Sequence, residues 1–554
     1  MHVLSAVEMQ ACDHATTERF GVPSLDLMRA ASAAVAAFAR QQFPQARRIT
    51  VLCGRGNNGG DGMMTARLLA AAGIKVTTLL LGAPEKLAGD AGTAWGELLA
   101  AASPGTVHVV EKADELARYN ELLQAHLIVD AVLGTGFKPP LKGLALAALD
   151  WLKSATVPVL AIDLPSGWPA DDTAGTPAAP VFPADAVITF TAPKPAHVFG
   201  ALTRHWSQPV VVAPIGSPDA AIVSDQKLIW AGSSLALAQA PRSAAAHKGD
   251  FGHVLVVGGS MGTAGGKAGA PAMTSLAALR AGAGLVTAAV PAPALATVSA
   301  IAPELMTWPL AASPSGCITS ENLAPEFLSA LLALKTVLAI GPGLGQSVET
   351  AKFVAGMLSA TKIPAVVDAD ALNILAAKPV LLAKLAKGRT LVLTPHPGEM
   401  ARLAGISTAE VQANRLQVAR SFAQRLGVTL VLKGARTIIA HPDGRVAVNT
   451  SGNPGMAKGG SGDVLTGLIA GLLAQYSAEP AKTVEAAVYL HGLAADLAVR
   501  EADEHTLLAT DGLAHLAHAF RFPAFHFRSG GPKGYVWLQG LPAPPAAESC
   551  EAAK

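Results

Sequence analysis

Two hydrophobic periods take turns along this chain. Short β-branched runs recur, and helical patterns lie between many of them. Ser5-Ala6-Val7-Glu8 has the form of a capping box and predicts a helix start, and a second helix is predicted over residues 24–42. Strands are predicted at 48–53, 75–81, 127–131, 157–162 and 186–190. From residue 213 to 241 the periodicity weakens, which places a boundary near 215–230. The alternation then restarts, with strands predicted at 253–257, 285–290, 337–340, 365–368, 390–393, 429–432 and 437–440. Helices are predicted at 272–282, 351–358, 397–403, 409–426, 463–475 and 484–500. This grammar predicts an α/β chain of two domains, each a mostly parallel sheet with helices on both faces. The expected division is 1–220, a linker at 221–240, 241–521, and a partly disordered tail at 522–554 that carries Gly-Gly-Pro and Pro-Ala-Pro-Pro.

Composition changes this picture little but excludes several functions. At 554 residues, with 51% hydrophobic and 15% charged, the chain can bury more than one core. A net charge of +2 without Lys/Arg runs gives no footprint for nucleic acid. The apolar stretches 285–303 and 328–340 are broken by prolines and by Lys335, and neither meets the roughly 20-residue requirement for a membrane span. The first residues hold no apolar core of a signal peptide, so none is expected. Cys12, Cys53, Cys317 and Cys550 are scattered without metal spacing, which suits a reducing cytoplasm and no structural zinc. The helical face from Leu25 to Phe38 is apolar enough to suggest a homo-oligomer.

The chemistry lies at predicted strand ends, where open α/β sheets bind ligands. GRGNNGGDG (54–62) follows a strand and opens a helix, which makes an anion site of free N–H groups and helix dipole. Its spacing is not the dinucleotide fingerprint, because Asn57 and Asn58 interrupt it. Their amides and Asp61 add oxygens that suit a hard cation beside N–H groups that suit phosphate. Asp130 and Asp163 fall at two further strand ends; either alone reads as a helix cap, but three acidic ends together point to a site. In the second half, GHVLVVGGSMG (252–262), GPGLG (341–345), VDADALN (367–373), TPHPGEMARL (394–403) and VLKGART (431–437) lead to NPGMAKGGSGDVLTG (453–467). There the 459–462 turn can hold a moving phosphoryl group, and Asp463 is placed to take a proton from an attacking hydroxyl. The plainer reading makes Asp463 a partner of the helix dipole. A Walker A lysine and a kinase catalytic-loop motif are absent from the sequence.

GRGNNGGDG, VDAVLGTG (129–136) and AIDLPSG (161–167) resemble, in order and spacing, the N-terminal domain of the NAD(P)HX epimerase family. That resemblance implies a Rossmann-like three-layer αβα domain. It places the damaged cofactor on Asn57, Asn58, Gly59, Gly60 and Asp61, on Gly134, Thr135, Gly136, Phe137, Lys138, Pro139 and Pro140, and on Asp163, the candidate acid or base. It implies potassium at Asn58, Asp130 and Ser166. The second half is similar to the ADP/ATP-dependent NAD(P)HX dehydratases of the ribokinase-like superfamily. HKGDFGHVLVVGGS, GAPAMTSLAALRAGAGLV, PELM, GPGLG, DADALN, TPHPGEMARL and GNPGMAKGGSGDVL occur in family order, although residues 261–267 run longer than the family's usual loop. This implies a ribokinase-like αβα domain with the hydrated cofactor on Ala270, Gly343, His396 and Asp463. The adenine nucleotide would lie on Lys433, Gly434, Ala435, Arg436, Thr437 and Gly462, with Asp463 as the catalytic base.

The resemblance implies a nicotinamide-nucleotide repair enzyme. It would epimerise R- and S-NADHX and NADPHX, and dehydrate the S form with ADP and magnesium, giving AMP and phosphate. Two alternatives stand beside it: a ribokinase-type kinase that releases a stable ester, and a first domain that only senses its ligand.

Overall fold

The structure is a computed structural model that describes residues 1–263, 265–523 and 534–542. It resolves into two compact units: Leu4–Ser224 with Phe525–Lys554, and Met1–Val3 with Asp225–Ala524.

The first unit is built on an eight-stranded sheet. Arg48–Cys53 lies at its centre, paired in parallel with Lys75–Leu81 on one side and Leu127–Ala131 on the other. Val107–Val110 extends the first side; Val159–Ile162, Ala186–Phe190 and Val210–Ala213 extend the second, all parallel. The chain order therefore reverses between Arg48–Cys53 and Leu127–Ala131, and a crevice opens at the carboxyl ends of such strands. The glycine turn that starts at Gly54 and the loop that starts at Val132 are the two segments leaving that point.

The eighth strand comes from the far end of the chain. Val536–Gln539 adds antiparallel to Val210–Ala213, and Gln539 donates to Thr203 Oγ1 (2.7 Å) and to the Gln208 carbonyl (3.0 Å). Phe38, with no exposed surface, meets Tyr535 at 5.1 Å and Trp537 at 6.3 Å between ring centroids, both edge-on. Residues 534–542 are thus part of the first unit's core rather than a trailing tail; the rest of 524–554 lies outside the described residues. The helix Ser24–Gln42 gives Leu27, Met28, Ala31, Val35 and Phe38 to its own unit. The apolar face read from the sequence as a partner surface is therefore covered internally.

The second unit carries a ten-stranded sheet. His253–Val257 and Val337–Ile340 form its switch point, flanked by Leu285–Pro291 and Met306–Leu310 on one side and by Ala365–Val367, Leu391–Leu393 and Thr429–Leu432 on the other, all parallel. An antiparallel meander of Thr429–Leu432, Ile438–Ala440 and Val446–Val448 follows, and Leu228–Trp230 closes the edge. The 221–240 stretch is therefore not a linker. It supplies an edge strand whose Trp230 is fully buried against Tyr489 and donates to Thr450 Oγ1 at 2.8 Å. Its weak periodicity reflects a three-residue strand, too short to show alternation. The helix expected at 409–426 is two helices, Thr408–Ala413 and Arg415–Leu426, because Asn414 leaves helical geometry with φ −136° and ψ 40°.

Candidate active sites

In the first unit, close packing dictates the glycines. A Cβ on Gly54 would fall 2.0 Å from the Val132 carbonyl oxygen, and one on Gly59 would fall 1.9 Å from that of Gly54. The helix Asn57–Ala71 begins at Gly56, where no side chain caps it, so its first N–H groups are left for a ligand. The turn opens onto a cleft of about 1690 Å³ lined by Asn57, Asn58, Asp61, Gly134, Thr135, Gly136, Phe137, Lys138, Pro139 and Asp163. Gly59 and Gly60 instead pack inward, Gly60 against Met28, and Pro140 is exposed.

Asp163 follows the strand Val159–Ile162 with φ 66°, a left-handed backbone rare outside glycine and frequent at functional sites. Its Oδ2 accepts from the Thr135 N–H (2.7 Å) and hydroxyl (2.6 Å). Its Oδ1 accepts from Thr189 Oγ1 (2.8 Å) and Lys194 Nζ (2.9 Å). Burial alone would raise this carboxyl, but the Lys194 charge and these donors hold it well below the usual carboxylate range. His197 accepts from the Lys194 N–H and donates from Nε2 to the Asp163 carbonyl (2.7 Å); burial and Lys194 lower it to about 4, so it is neutral at pH 7. Asp163 is thus a locked anion, and the acid–base part expected of it is poorly served by a carboxylate with both oxygens engaged.

Two other carboxylates line the same cleft. Asp61 is raised well above the usual range by burial and by the charges of Asp163 and Asp13, against Lys194. Among the described residues, no hydrogen bond or ion pair reaches its carboxylate. Asp13, on the helix Ala6–Glu18, is pushed up to about 6 by desolvation and Asp163, against Lys194. Its own surface is largely exposed, so that push is the weaker of the two.

Asp130 and Ser166 are in direct contact. Asp130 Oδ1 accepts from Ser166 Oγ (2.6 Å) and Oδ2 from the Ser166 N–H (2.8 Å). Burial pushes Asp130 up to about 6, and among the described residues no lysine or arginine pairs with it. Ser166 also bonds the Leu133 backbone, while Asn58 Oδ1 lies 3.2 Å from where a Cβ of Gly134 would stand. One loop therefore separates Asn58 from the other two. A buried, unpaired carboxylate beside hydroxyl and amide oxygens is a donor set that fits a large monovalent cation.

In the second unit, Gly460 caps the helix Ser461–Gln475 with φ 91°, in a place where a side chain would strike Met273. Gly467 and Gly471 let this helix lie against Gly269–Arg280; a Cβ on Gly467 would meet the Thr274 carbonyl at 2.1 Å. Asp463 stands in the first turn, pushed up to about 6 by desolvation and by Asp368, against Lys433 and Lys267. Behind it, Lys433 Nζ donates to Asp368 Oδ1 (2.8 Å), and Thr466 Oγ1 donates to Asp368 Oδ2 (2.8 Å). A Cβ on Gly462 would lie 3.3 Å from Lys433 Nζ, so the lysine faces the glycine turn. Gly343, with φ 71°, packs on Lys267 and Ala270. His396 caps the helix Pro397–Ala404, accepting from the Gly398 N–H at 3.0 Å, and its charge environment includes Lys433 and Asp368.

Arg415 braces the loop of Lys433, Gly434, Ala435, Arg436 and Thr437 by donating to the Ala435 carbonyl at 2.5 Å. Arg436 is half-buried with φ 55° and donates to the Thr450 carbonyl (3.2 Å), and Thr437 Oγ1 donates to the Gly434 carbonyl (2.9 Å). Asp496 accepts from the Gly452 N–H (2.8 Å) and Asn453 Nδ2 (2.9 Å), which fixes the entry to the glycine turn. Lys194, Asp13, Lys267, Arg415 and Asp496 were not reached from the sequence, and Asp368 was quoted only inside its motif. Lys194 alone had a usable signal: a lysine between prolines just past a strand end.

Two family models match the chain, one described as YjeF-related protein N-terminus over residues 24–196 and one as NAD(P)H-hydrate dehydratase over residues 254–516. The chain is 40% identical to the bifunctional NAD(P)H-hydrate repair enzyme of Moorella thermoacetica, covering 94% of this chain and 97% of that one. It is 38% identical to the bifunctional NAD(P)H-hydrate repair enzyme of Escherichia coli, covering 89% and 88%. Among solved structures, the ADP/ATP-dependent NAD(P)H-hydrate dehydratase of Bacillus subtilis, co-crystallised with ATP and magnesium, is 31% identical over 54% of this chain and 99% of that chain, with a TM-score of 0.45. At this identity over nearly the full length of both chains, the protein belongs to the family of bifunctional NAD(P)H-hydrate repair enzymes.

Proposed function

We propose that the unit Leu4–Ser224 epimerises R- and S-NAD(P)HX, and that the unit containing Asp225–Ala524 dehydrates the S form at the expense of ADP. The observation that carries the second half is Asp463, a carboxylate raised to about 6 at the start of a glycine-turn helix, beside the Lys433–Asp368 pair. A base of that strength is poised near working pH. In NAD(P)HX the hydroxyl sits on a carbon bonded to the ring nitrogen. Asp463 takes the hydroxyl proton as its oxygen attacks the terminal phosphoryl group of ADP, and AMP leaves. Backbone N–H groups at Gly460, Ser461 and Gly462, with Lys433, hold the moving phosphoryl. The ring nitrogen's lone pair then expels phosphate to form a C=N bond, and loss of a proton from the adjacent ring carbon restores the C=C bond and returns the pair to nitrogen. Magnesium would neutralise the phosphate oxygens, held chiefly by the phosphates and by water.

The nucleotide's remaining parts fit the braced loop of Lys433, Gly434, Ala435, Arg436 and Thr437, and the hydrated ring fits Ala270, Gly343 and His396. In the first cleft, the cofactor's phosphates fit the uncapped helix start at Asn57. Potassium would be held by Asn58, Asp130 and Ser166, where it supplies the missing counter-charge to Asp130. Among the described residues Cys12, Cys53 and Cys317 are free thiols, which suits a reducing compartment, so a cytoplasmic location is part of the proposal.

The test is incubation with mixed NADHX epimers, with and without ADP and magnesium, following NADH absorbance and free phosphate. Full recovery of NADH with phosphate release supports both halves. A stable phosphorylated product would instead show a kinase. Anomalous scattering from a rubidium-soaked crystal tests the cation at Asp130.

A further inference from the structure

Acid–base exchange needs a carboxylate that can pick up and lose a proton without dismantling its surroundings. In the first cleft Asp163 cannot do so. Each of its oxygens holds two donors, one of them the Thr135 N–H of the loop that lines the cleft. Protonating Asp163 would break the Lys194 ion pair, whose lysine side chain is only 3% exposed.

Asp61 has the opposite character. It lies four residues after Asn57 on the helix Asn57–Ala71, so both project from one face, and both line the cleft. Its backbone carbonyl is anchored by Ser32 Oγ (3.1 Å), while among the described residues its carboxylate has no partner. The charged groups facing it are Asp163, Asp13 from the helix Ala6–Glu18, and Lys194: two anions against one cation.

We propose that Asp61 is the proton-carrying catalytic residue of the first cleft, and that Asp163 is a positioning residue that ties the loop at Thr135 to Lys194. This rests on the reading of the cleft as the epimerase site. Protonated Asp61 gives its proton to the hydroxyl oxygen of NAD(P)HX. The carbon–oxygen bond breaks as the ring nitrogen's lone pair forms a C=N bond, and water leaves. Water then adds to the opposite face, the C=N pair returns to nitrogen, and the water's proton passes through solvent in the cleft back to the Asp61 carboxylate. Atoms, charge and the residue's protonation are restored, and only the configuration has changed.

The experiment uses the full chain, a single NADHX epimer and no ADP, with epimer exchange followed by NMR. Asp61→Asn keeps shape and loses the proton; the expected result is a fall in kcat of roughly 10²–10⁴-fold with KM little changed. Asp61→Glu should restore part of the rate. Because the acid form must give the proton, the unsubstituted rate should fall as pH rises through the raised Asp61 value. Asp163→Asn should chiefly raise KM and lower the melting temperature. Exchange by Asp61→Asn at the unsubstituted rate overturns the assignment, as does a loss confined to KM. If Asp61→Asn does not fold, a pH-independent rate in the unsubstituted chain overturns it instead. A full chain that exchanges no epimers while binding NADHX overturns the epimerase reading, and Asp61 with it.

Discussion

Each unit places a lysine–aspartate pair behind a glycine turn and a second, unpaired carboxylate near the start of the helix that follows. Lys194–Asp163 (2.9 Å) stands beside Asp61, and Lys433–Asp368 (2.8 Å) beside Asp463. In both, the unpaired carboxylate is raised by desolvation first and by its paired neighbour's charge second. Environments that push two carboxylates apart mark out acid–base roles. The difference lies in the lysine: Lys194 is 3% exposed, but Lys433 is 21% exposed and turned toward Gly462. The sealed Lys194 spends its donors on Asp163 and on Thr189 Oγ1 (2.7 Å), whereas a reachable lysine can also hold a phosphoryl oxygen. Where a reaction moves phosphate, the same device is left open.

The largest expected effect falls on Asp463. Asp463→Asn should lower dehydration by roughly 10²–10⁴-fold while epimer exchange persists. NADH recovery with ADP checks the first part, and a variant with full recovery would remove Asp463 from the mechanism. The two lysines come next, and they break or sharpen the comparison most directly. Lys194→Met leaves a buried anion unpaired and should cost about 3–5 kcal/mol in the first unit's urea unfolding. Lys433→Met also leaves a buried anion, since the Asp368 side chain is only 2% exposed, so its stability cost should be similar, but it should in addition lose most dehydration. Full dehydration by Lys433→Met would erase the distinction between a sealed and a reachable lysine. Trp537→Ala should destabilise the first unit by about 3–5 kcal/mol, measured the same way, although the residue lies far along the chain from that unit's other strands. The smallest effect is in pH dependence. Asp463 must be ionised to act, so dehydration should fall as pH drops through about 6, while plateau rates above it stay level.

Central strands were legible from the sequence because they are buried on both faces and read as unbroken β-branched runs. Arg48–Cys53, Leu127–Ala131 and His253–Val257 are examples. Four edge or near-edge strands were not: Val107–Val110 contains His108, Met306–Leu310 contains Pro309, and Leu228–Trp230 and Val446–Val448 are three residues each. The sites divide along a similar line. Glycine turns and strand-end acids announce themselves locally, so Asn57, Asp163 and Asp463 could be named. What Asp163 can do could not be read, because the pairing with Lys194 joins residues 31 apart and Lys433–Asp368 joins residues 65 apart. Chemistry set by such pairs is a property of the fold.

The strand Val536–Gln539 bears on how the protein is made. A ribosome releases the chain from its N-terminus, and domains generally fold as they emerge. Here the first unit's sheet ends in an open edge at Val210–Ala213, with Phe38 lacking its aromatic neighbours, until the whole second unit has been synthesised. A message truncated within the second unit would leave the first without its last strand. The repair of one epimer and the supply of the other are then linked at synthesis: a chain that cannot finish the dehydratase cannot complete the epimerase.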